Sequence, residues 1–217
     1  MTDFAERRRM MVDTQVRPSD VTKYPIIEAL LAVPREEFVP DAQREGAYAD
    51  RNMDLGGDRT LIEARTLAKM LDALDIQSDE LVLDVGCGLG YSTAVAARLA
   101  VMVIGVEEDE TMSVDAQTQL SEVGADNAIV HVGPLTDGAA EHGPYDVILV
   151  QGGVEELPDS LLAQLKDGGR IAVIFMTGAL GEVKIGYKRG EQISWRFAFN
   201  AGAAVLPGFA RKPEFAL

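Results

Sequence analysis

Three residue types are scarce in this sequence, and each scarcity limits the chemistry to be expected. The 217 residues include one cysteine, one tryptophan and two histidines. The single cysteine, Cys87, excludes an internal disulfide. We interpret His131 and His142 as structural or incidental residues, and we expect no metal site.

Basic residues and long apolar runs are also limited. The chain has 20 Lys and Arg residues against 35 Asp and Glu residues, a formal net charge of −15. Such a surface repels phosphate backbones and anionic lipids, so neither nucleic acid nor a membrane is expected as a partner. The run Arg7-Arg8-Arg9 is interpreted as the solvated side of a helix. No stretch has the length of a membrane-spanning helix and the N-terminus lacks the apolar centre of a secretion signal, so we expect a cytoplasmic protein.

The chain beyond residue 80 has the alternation typical of α/β proteins. Short β-branched runs are separated by helical ones, which predicts a parallel sheet with helices on both faces. Two more strand-like halves flank Arg189-Gly190 and predict an antiparallel hairpin at one edge of the sheet. The predicted fold is therefore α/β: a Rossmann-like, doubly wound, mostly parallel seven-stranded sheet with an antiparallel C-terminal hairpin and an N-terminal helical extension. The parallel strands are predicted in segments 80–85, 101–107, 128–133, 146–151 and 170–176.

The first sixty residues have a different character. A first helix is predicted to begin after a cap at Thr2 or Asp3, and Ser19-Asp20 can cap a second one. A further helical pattern covers residues 60–76 and includes Leu61 on its apolar face. These residues predict a helical segment ahead of the sheet.

The run LVLDVGCGLGYSTA, residues 81–94, combines an apolar strand with closely spaced glycines. Gly86, Gly88 and Gly90 permit a sharp turn and the close approach of a ligand to the backbone, and a helix is predicted from Tyr91. In an open parallel sheet, ligands bind at the carboxyl ends of the strands. The glycines alone are also compatible with an NAD or FAD site, or with a tight turn that binds nothing.

Two carboxylates favour a different ligand. Asp84 precedes the first glycine, where it would repel a pyrophosphate but would suit the sulfonium and ammonium groups of S-adenosylmethionine. Glu107 ends the next predicted strand and can accept hydrogen bonds from both hydroxyls of an adenosine ribose. Together they favour S-adenosylmethionine over NAD as cofactor, and an NAD-linked oxidoreductase stays a less favoured alternative.

Several runs of the sequence resemble the motifs of a known family. LDVGCGLGY followed by VIGVE resembles the first two cofactor motifs of class I S-adenosylmethionine-dependent methyltransferases. MVDTQVRPSDV, AVPREEFVP, AYADRNMDLG and LPDSLLAQLKDGGRI are similar in order and spacing to protein-L-isoaspartate O-methyltransferases. The resemblance implies an N-terminal helical extension, residues 1–60, that contributes to the acceptor site, and an S-adenosylmethionine-binding methyltransferase domain, residues 61–217.

The resemblance also implies a reaction and a set of cofactor residues. The family methylates the α-carboxylate of L-isoaspartyl residues in damaged proteins, which allows repair through a succinimide, and its partners are peptides or proteins that carry this lesion. A carboxylate is ionised at neutral pH, so no general base is expected. Cys87 is interpreted as a small apolar filler within the turn. The implied cofactor-binding residues are Asp84, Gly86, Cys87, Gly88, Gly90, Tyr91, Glu107, Glu108, Gly133, Pro134 and Leu135.

The acceptor loop departs from the family pattern. Where the family has a serine thought to hold the substrate carboxyl, this chain has Ile62, which cannot donate a hydrogen bond. Thr60 or Arg59 could compensate, and Gln151 could line the methyl site. Thr60, Ile62 and Gln151 are therefore the expected acceptor-positioning residues. The departure leaves open a relative that methylates another acceptor, or that serves as a sensor or partner protein.

The C-terminal segment allows two interpretations. The resemblance suggests that Val205 and Leu206 border the acceptor groove together with Arg59. Alternatively, Leu206, Phe209 and Phe215 cover an edge of the sheet.

Overall fold

The computed structural model describes residues 3–211, and its strands and helices follow in an order that places one large sheet at the centre. Within these residues the α-helices are α1 (Phe4–Met11), α2 (Tyr24–Ala32), α3 (Ala64–Leu74), α4 (Tyr91–Ala97), α5 (Glu110–Glu122) and α6 (Asp159–Ala163). The strands are β1 (Met53–Gly56), β2 (Arg59–Leu61), β3 (Leu81–Val85), β4 (Met102–Glu107), β5 (Ala128–Val132), β6 (Tyr145–Val154), β7 (Leu165–Thr177), β8 (Leu180–Arg189) and β9 (Gln192–Asn200).

The predicted sheet is confirmed. Its order is β5-β4-β3-β6-β7-β8-β9, and β1 and β2 form a separate hairpin. The first five strands in this order are parallel, whereas β8 runs antiparallel to both β7 and β9. The chain adds strands on one side of β3 and then returns to add β6 on the other side. The order therefore reverses between β3 and β6, the place where such sheets bind ligands.

The helix predicted over residues 60–76 is wrong at its start. Arg59–Leu61 is the strand β2, paired antiparallel with β1, and α3 begins only at Ala64. The turn between the two strands, residues 56–58, has φ angles of 83°, 57° and 57°, which the two glycines and Asp58 adopt more readily than other residues. Leu61 is therefore buried as part of the β1–β2 hairpin and not on the apolar face of α3.

The N-terminal helices pack into the same apolar core as the sheet. That core joins Met11 and Leu30, from α1 and α2, to residues of the central strands such as Val82. Asp3 caps α1 by accepting a hydrogen bond from the Glu6 amide at 3.0 Å, and Thr2 lies outside the described residues. The division of the chain at residue 60 remains a prediction.

The interpretation of Arg7-Arg8-Arg9 as the solvated side of a helix is wrong for Arg8. Arg8 turns inward, where its guanidinium lies 3.1 Å from the buried Glu36 carboxylate and donates to the Tyr48 hydroxyl at 2.9 Å. Burial opposes the charge of Arg8, but its hydrogen bonds to Tyr48 and Glu36 raise its pKa above the ordinary value. Arg8 therefore fixes α1 to the segment that follows α2.

The part of the chain that the structure describes contains no helix with the length and apolar character needed to cross a membrane.

Candidate active site

The loop after β3 is a tight glycine turn at the ligand-binding end of the sheet. Gly86, Gly88 and Gly90 have φ angles of 74°, 57° and 94°, a region that residues with a Cβ rarely adopt. The amides of Gly86 and Cys87 donate to the Val106 carbonyl oxygen of β4 at 3.0 and 3.2 Å. The turn is thereby fixed across the ends of β3 and β4 before it leads into α4.

Asp84 lies beneath this turn and is fully buried. Its oxygens accept hydrogen bonds from Ser92 Oγ at 2.6 Å, Thr93 Oγ1 at 2.7 Å and Gln151 Nε2 at 2.9 Å. Burial raises the pKa of Asp84 above its ordinary value, and these three donors oppose that shift. The sequence analysis expected this carboxylate to face a cationic ligand group, whereas the structure uses it to connect β3 with α4 and β6.

Sequence reasoning missed Ser92 and Thr93 as parts of the site. The available signal was two hydroxyl residues directly after the glycines, on the first turn of a helix that follows an acidic strand residue. Such hydroxyls can donate back to the strand end, as they do here to Asp84.

Cys87 points into the protein, as expected of a small filler. A Cβ added to Gly105 of β4 would lie 3.0 Å from the Cys87 sulfur, so the thiol packs directly against that strand. Burial, together with the charges of Asp84 and Glu107, raises the pKa of the Cys87 thiol well above its ordinary value. The thiol therefore stays protonated and unreactive in the folded protein.

Glu107, the last residue of β4, is also fully buried. Its Oε2 accepts a hydrogen bond from the Gly88 amide at 3.1 Å, and its Oε1 accepts from the amides of Glu108 and Asp109 at 2.9 and 3.1 Å. The carboxylate thus connects the glycine turn to the end of β4. This brings together the two features that the sequence assigned to the cofactor.

Arg59 of β2 supplies the rest of the Glu107 environment. Its Nε donates to the two carboxylate oxygens at 3.1 and 2.9 Å, and its Nη2 donates to Oε1 at 2.8 Å. Nη2 also lies 3.1 Å from the Glu108 carboxylate, and Nη1 donates to the Gly57 carbonyl at 3.2 Å. Burial opposes the charge of Arg59, but its hydrogen bonds to these two acids raise its pKa above the ordinary value. Arg59 is predicted at the acceptor, and in the structure it is paired with the carboxylate assigned to the cofactor.

Two leucines lie on the glycines. A Cβ built on Gly88 would be 2.9 Å from Leu55 Cδ1, and one built on Gly86 would be 3.2 Å from Leu206 Cδ1. Leu206 also packs on Gly152 at the end of β6, where a Cβ would lie 2.5 Å from its Cγ. Leu206 is therefore placed over the central strands and not along the edge strand β9.

The rest of the C-terminal segment supports this position. Val205 is half-buried and forms a bridge to Gly153, and the Leu206 amide donates to the Gly153 carbonyl at 2.9 Å. Phe209 is buried in the same apolar cluster as Leu206, and Phe215 lies outside the described residues. The segment thus borders the carboxyl ends of β3 and β6.

The three expected acceptor-positioning residues have different surroundings. Ile62 is 1% exposed and belongs to the core, Gln151 is bonded to Asp84, and Thr60 is half-buried in β2 opposite Asp54. Arg59 and Leu61 share the buried side of β2, so Thr60 faces the other side of the strand. Of these three residues, Thr60 is the one whose side chain is partly exposed.

A buried arginine that sequence reasoning did not assign to the site supports the acceptor loop. Arg35 is 1% exposed and donates to the carbonyls of Ala47 and Ile62 at 2.8 and 2.7 Å. Its guanidinium carbon lies 4.8 Å from the centre of the Tyr91 ring. Burial lowers the pKa of Arg35 below its ordinary value. The sequence signal for a buried arginine here was its position between the apolar residues of AVPREEFVP.

The loop after β5 lies beside the same carboxylate-containing strand. The Gly133 amide donates to the Glu107 carbonyl at 3.1 Å. Leu135 is fully buried and its Cδ1 would be 3.6 Å from a Cβ on Gly86, whereas Pro134 is exposed. Gly133 and Leu135 thus lie beside Glu107 and Gly86, and the assignment of all three residues to the cofactor stays a prediction.

Comparison with known proteins gives consistent results. The family described as protein-L-isoaspartate(D-aspartate) O-methyltransferase matches residues 6–192. A protein-L-isoaspartate O-methyltransferase of Syntrophus aciditrophicus is 38% identical over 173 residues, which cover 80% of this chain and 79% of that protein. A protein-L-isoaspartate O-methyltransferase 2 of Pelobacter propionicus is 36% identical over 201 residues, covering 93% of this chain and 89% of the relative.

A similar fold is seen in a solved structure from Plasmodium falciparum. That protein is assigned as a protein-L-isoaspartate O-methyltransferase and was crystallised with S-adenosyl-L-homocysteine. The TM-score is 0.79 at 18% identity, with coverage of 95% of this chain and 99% of the other. This similarity supports the fold described above.

Proposed function

Because the chain belongs to the protein-L-isoaspartate O-methyltransferase family, we propose that it methylates the α-carboxylate of L-isoaspartyl residues in damaged proteins. The methyl donor is S-adenosylmethionine. The enzyme is therefore an O-methyltransferase whose partners are peptides or proteins that carry the isoaspartyl lesion.

One observation carries the proposal. The buried Glu107 carboxylate is hydrogen-bonded to the amide of Gly88, so an acceptor for ribose hydroxyls lies directly beside bare backbone at the sheet's reversal point. This donor and acceptor set fits an adenosyl group. The side chains that lie over it, Leu55, Arg59 and Leu206, come from the β1–β2 hairpin and the C-terminal segment and not from the sheet.

The residues around this position have two roles, binding the adenosyl group and positioning the elements that bind it. Gly86, Gly88 and Glu107 would hold the adenosyl group, and Asp84 acts as a positioning residue because its bonds to α4 and β6 fix the turn. Tyr91, under Arg35, fixes the start of α4. We assign Gly133, Pro134 and Leu135 to the border of the adenosyl site because they follow the strand next to Glu107.

The chemistry demands positioning rather than acid–base catalysis. When bound, S-adenosylmethionine supplies a methyl group on a sulfonium centre, which a carboxylate attacks in line. The acceptor carboxylate is already ionised at neutral pH, so no residue of this chain has to remove a proton. Val205 and Leu206 border the acceptor and exclude water.

We expect methyl transfer from labelled S-adenosylmethionine to a peptide with one isoaspartyl residue, and no transfer to the same peptide with aspartate. Glu107→Gln should lower kcat/KM at least about 100-fold, because two hydrogen bonds to a charged carboxylate are each worth about 1.5–3 kcal/mol. Arg17→Gln, at an exposed pair with Asp13, is the control and should keep its activity. Equal transfer to both peptides would contradict the proposal.

A second candidate function has one structural observation in its favour. Ile62 occupies the family's serine position and is buried in the core, so no hydroxyl is available at that position. A relative that binds the cofactor but methylates another acceptor, or acts as a sensor or partner protein, agrees with this difference. Binding of S-adenosylhomocysteine without transfer to the isoaspartyl peptide would select the second candidate.

A further inference from the structure

The pairing of Arg59 with Glu107 has a consequence for cofactor binding. Glu107 accepts hydrogen bonds from three backbone amides and from two N–H groups of Arg59, of which Nε–H is shared between the two carboxylate oxygens. A carboxylate offers about four lone-pair sites. The two hydroxyls of a ribose therefore find no free acceptor site on Glu107 while Arg59 remains in place.

We propose that Arg59 is an internal competitor for the ribose-binding carboxylate, and that the β1–β2 hairpin acts as a latch which must open before the adenosyl group binds. This inference rests on the proposed function, since it concerns the same cofactor site. The latch consists of Leu55, Gly57 and Arg59. Because Arg59 occupies the carboxylate, its release sets the affinity for the cofactor.

The two side chains of the latch, Arg59 and Leu55, lie on the same buried face of the β1–β2 hairpin. Arg59 and Leu55 are buried, and they cover neighbouring features of the site, the Glu107 carboxylate and the Gly88 backbone. Glu108 adds a second acidic partner at 3.1 Å from Arg59 Nη2. Closure therefore satisfies the guanidinium with two carboxylates and one carbonyl, and opening exposes all of these groups together.

Glutamine is neutral and lacks the forked guanidinium, so it cannot form the bidentate ion pair with Glu107. Arg59→Gln is therefore a suitable variant for a test, because it removes the charge and the fork while it keeps a polar side chain.

The apparent affinity of a site that is competent only part of the time falls by the competent fraction. Arg59→Gln should accordingly bind S-adenosylhomocysteine at least about tenfold more tightly than the wild-type protein in calorimetry. Arg59→Lys, which keeps the charge but not the fork, should show a smaller gain. Arg17→Gln makes the same change in net charge at an exposed site and should leave the affinity unchanged.

S-adenosylhomocysteine is chosen because it lacks the sulfonium charge, so a general change in electrostatic attraction does not explain a gain. Leu55→Ala provides an independent variant if Arg59→Gln fails to fold, and it should also bind more tightly. Hydrogen exchange at residues 53–61 should be faster in Arg59→Gln than in the wild type. An unchanged or weaker affinity in both variants, or no binding by any of them, overturns the latch.

Failure of the proposed function has a different signature. If Arg59→Gln binds S-adenosylhomocysteine more tightly but transfers no methyl group to the isoaspartyl peptide, the latch stands and the proposed acceptor fails. If the wild-type protein transfers the methyl group and neither variant gains affinity, the proposed function stands and the latch fails.

A separate observation concerns the two histidines of the chain. His131 on β5 and His142 on the following turn approach the same carboxylate: His131 Nδ1 and His142 Nε2 lie 3.2 and 3.4 Å from Glu141 Oε1. One ligand atom from each residue lies within 4.8 Å of the others. The structure thus brings together residues that the sequence analysis interpreted as incidental.

The distances of 3.2 and 3.4 Å from Glu141 Oε1 to the two imidazole nitrogens match those between ligands of a small divalent cation. Ligands of tetrahedral Zn²⁺ lie about 2.0–2.2 Å from the metal, which separates neighbouring ligand atoms by about 3.4 Å. Two imidazoles and one carboxylate form a common three-ligand set that leaves one position open. The net charge of −15 favours cation binding at the surface. We infer that His131, Glu141 and His142 form a Zn²⁺ site.

Titration of the intact protein with Zn²⁺ against a chromogenic chelator at about 0.15 M salt tests this site. One equivalent should bind, and His131→Ala and His142→Ala should each weaken binding at least about tenfold. Glu122→Gln, which removes an exposed acid at the end of α5, and Cys87→Ser are controls that should not change it. Equal binding by the wild type and the double histidine variant, or no stoichiometric binding, overturns the site.

Discussion

Glu107→Ala is expected to lower the free energy of unfolding by about 3–5 kcal/mol, the range found when one partner of a buried ion pair is removed. Arg59 is only 2% exposed, so its guanidinium would lose its main partner while it remains buried. The amides of Gly88, Glu108 and Asp109 would lose an acceptor at the same time. Urea unfolding followed by the fluorescence of Trp195 measures the change.

Two comparisons make this first prediction specific. Glu108→Ala removes the more exposed partner of Arg59 and should cost less than about 1 kcal/mol. In a double-mutant cycle, Arg59→Gln and Glu107→Gln should show a coupling energy of about 1.5 kcal/mol or more. A loss below about 1 kcal/mol in Glu107→Ala, or additive single changes, would contradict the buried pair.

Asp84→Ala is expected to destabilise the protein by about 2–4 kcal/mol, because Ser92, Thr93 and Gln151 lose their acceptor in a site without solvent. Asp84→Asn should keep the fold, since the amide oxygen can accept from both hydroxyls and Gln151 can reverse its amide to accept from the new NH₂. The two variants separate the loss of hydrogen bonds from the loss of charge.

The pH dependence of Asp84→Asn has a definite sign. Burial raises the pKa of Asp84 in the folded protein, so ionisation is less favourable there than in the unfolded chain. The contribution of Asp84 to stability is therefore complete below its unfolded pKa and is lost as the pH rises through the folded pKa. The stability of Asp84→Asn relative to wild type should increase in urea titrations as the pH rises above the unfolded pKa of an aspartate, about 3.9. If the difference in the free energy of unfolding between the two proteins stays constant as the pH rises, burial does not disfavour the ionised form of Asp84.

The sheet was predictable from sequence because its signal is local. Each parallel strand is a short β-branched run, and turn residues such as Arg189-Gly190 mark the hairpin. The glycines and Glu107 were predictable for the same reason, since adjacent parallel strands end at the same edge. Such local patterns fix the type of element and the end of the sheet at which a ligand binds.

The errors concern partners that are distant along the chain. The residues after Arg59 fit an apolar helical period, and only the pairing of Leu61 with Met53 makes them a strand. Arg59 meets a carboxylate 48 positions away, and Arg8 meets Glu36 across the space between two helices. Nothing in a local pattern specifies which acid an arginine will reach, so neither ion pair could be predicted from the sequence.

The position of Cys87 makes it a built-in reporter of the cofactor site. It is the only thiol in the chain, it is packed against Gly105, and burial keeps it protonated. An alkylating reagent can therefore modify the folded protein only when the segment between β3 and α4 separates from its neighbours. The rate of alkylation therefore reports the opening of that segment, and no label has to be engineered into the chain.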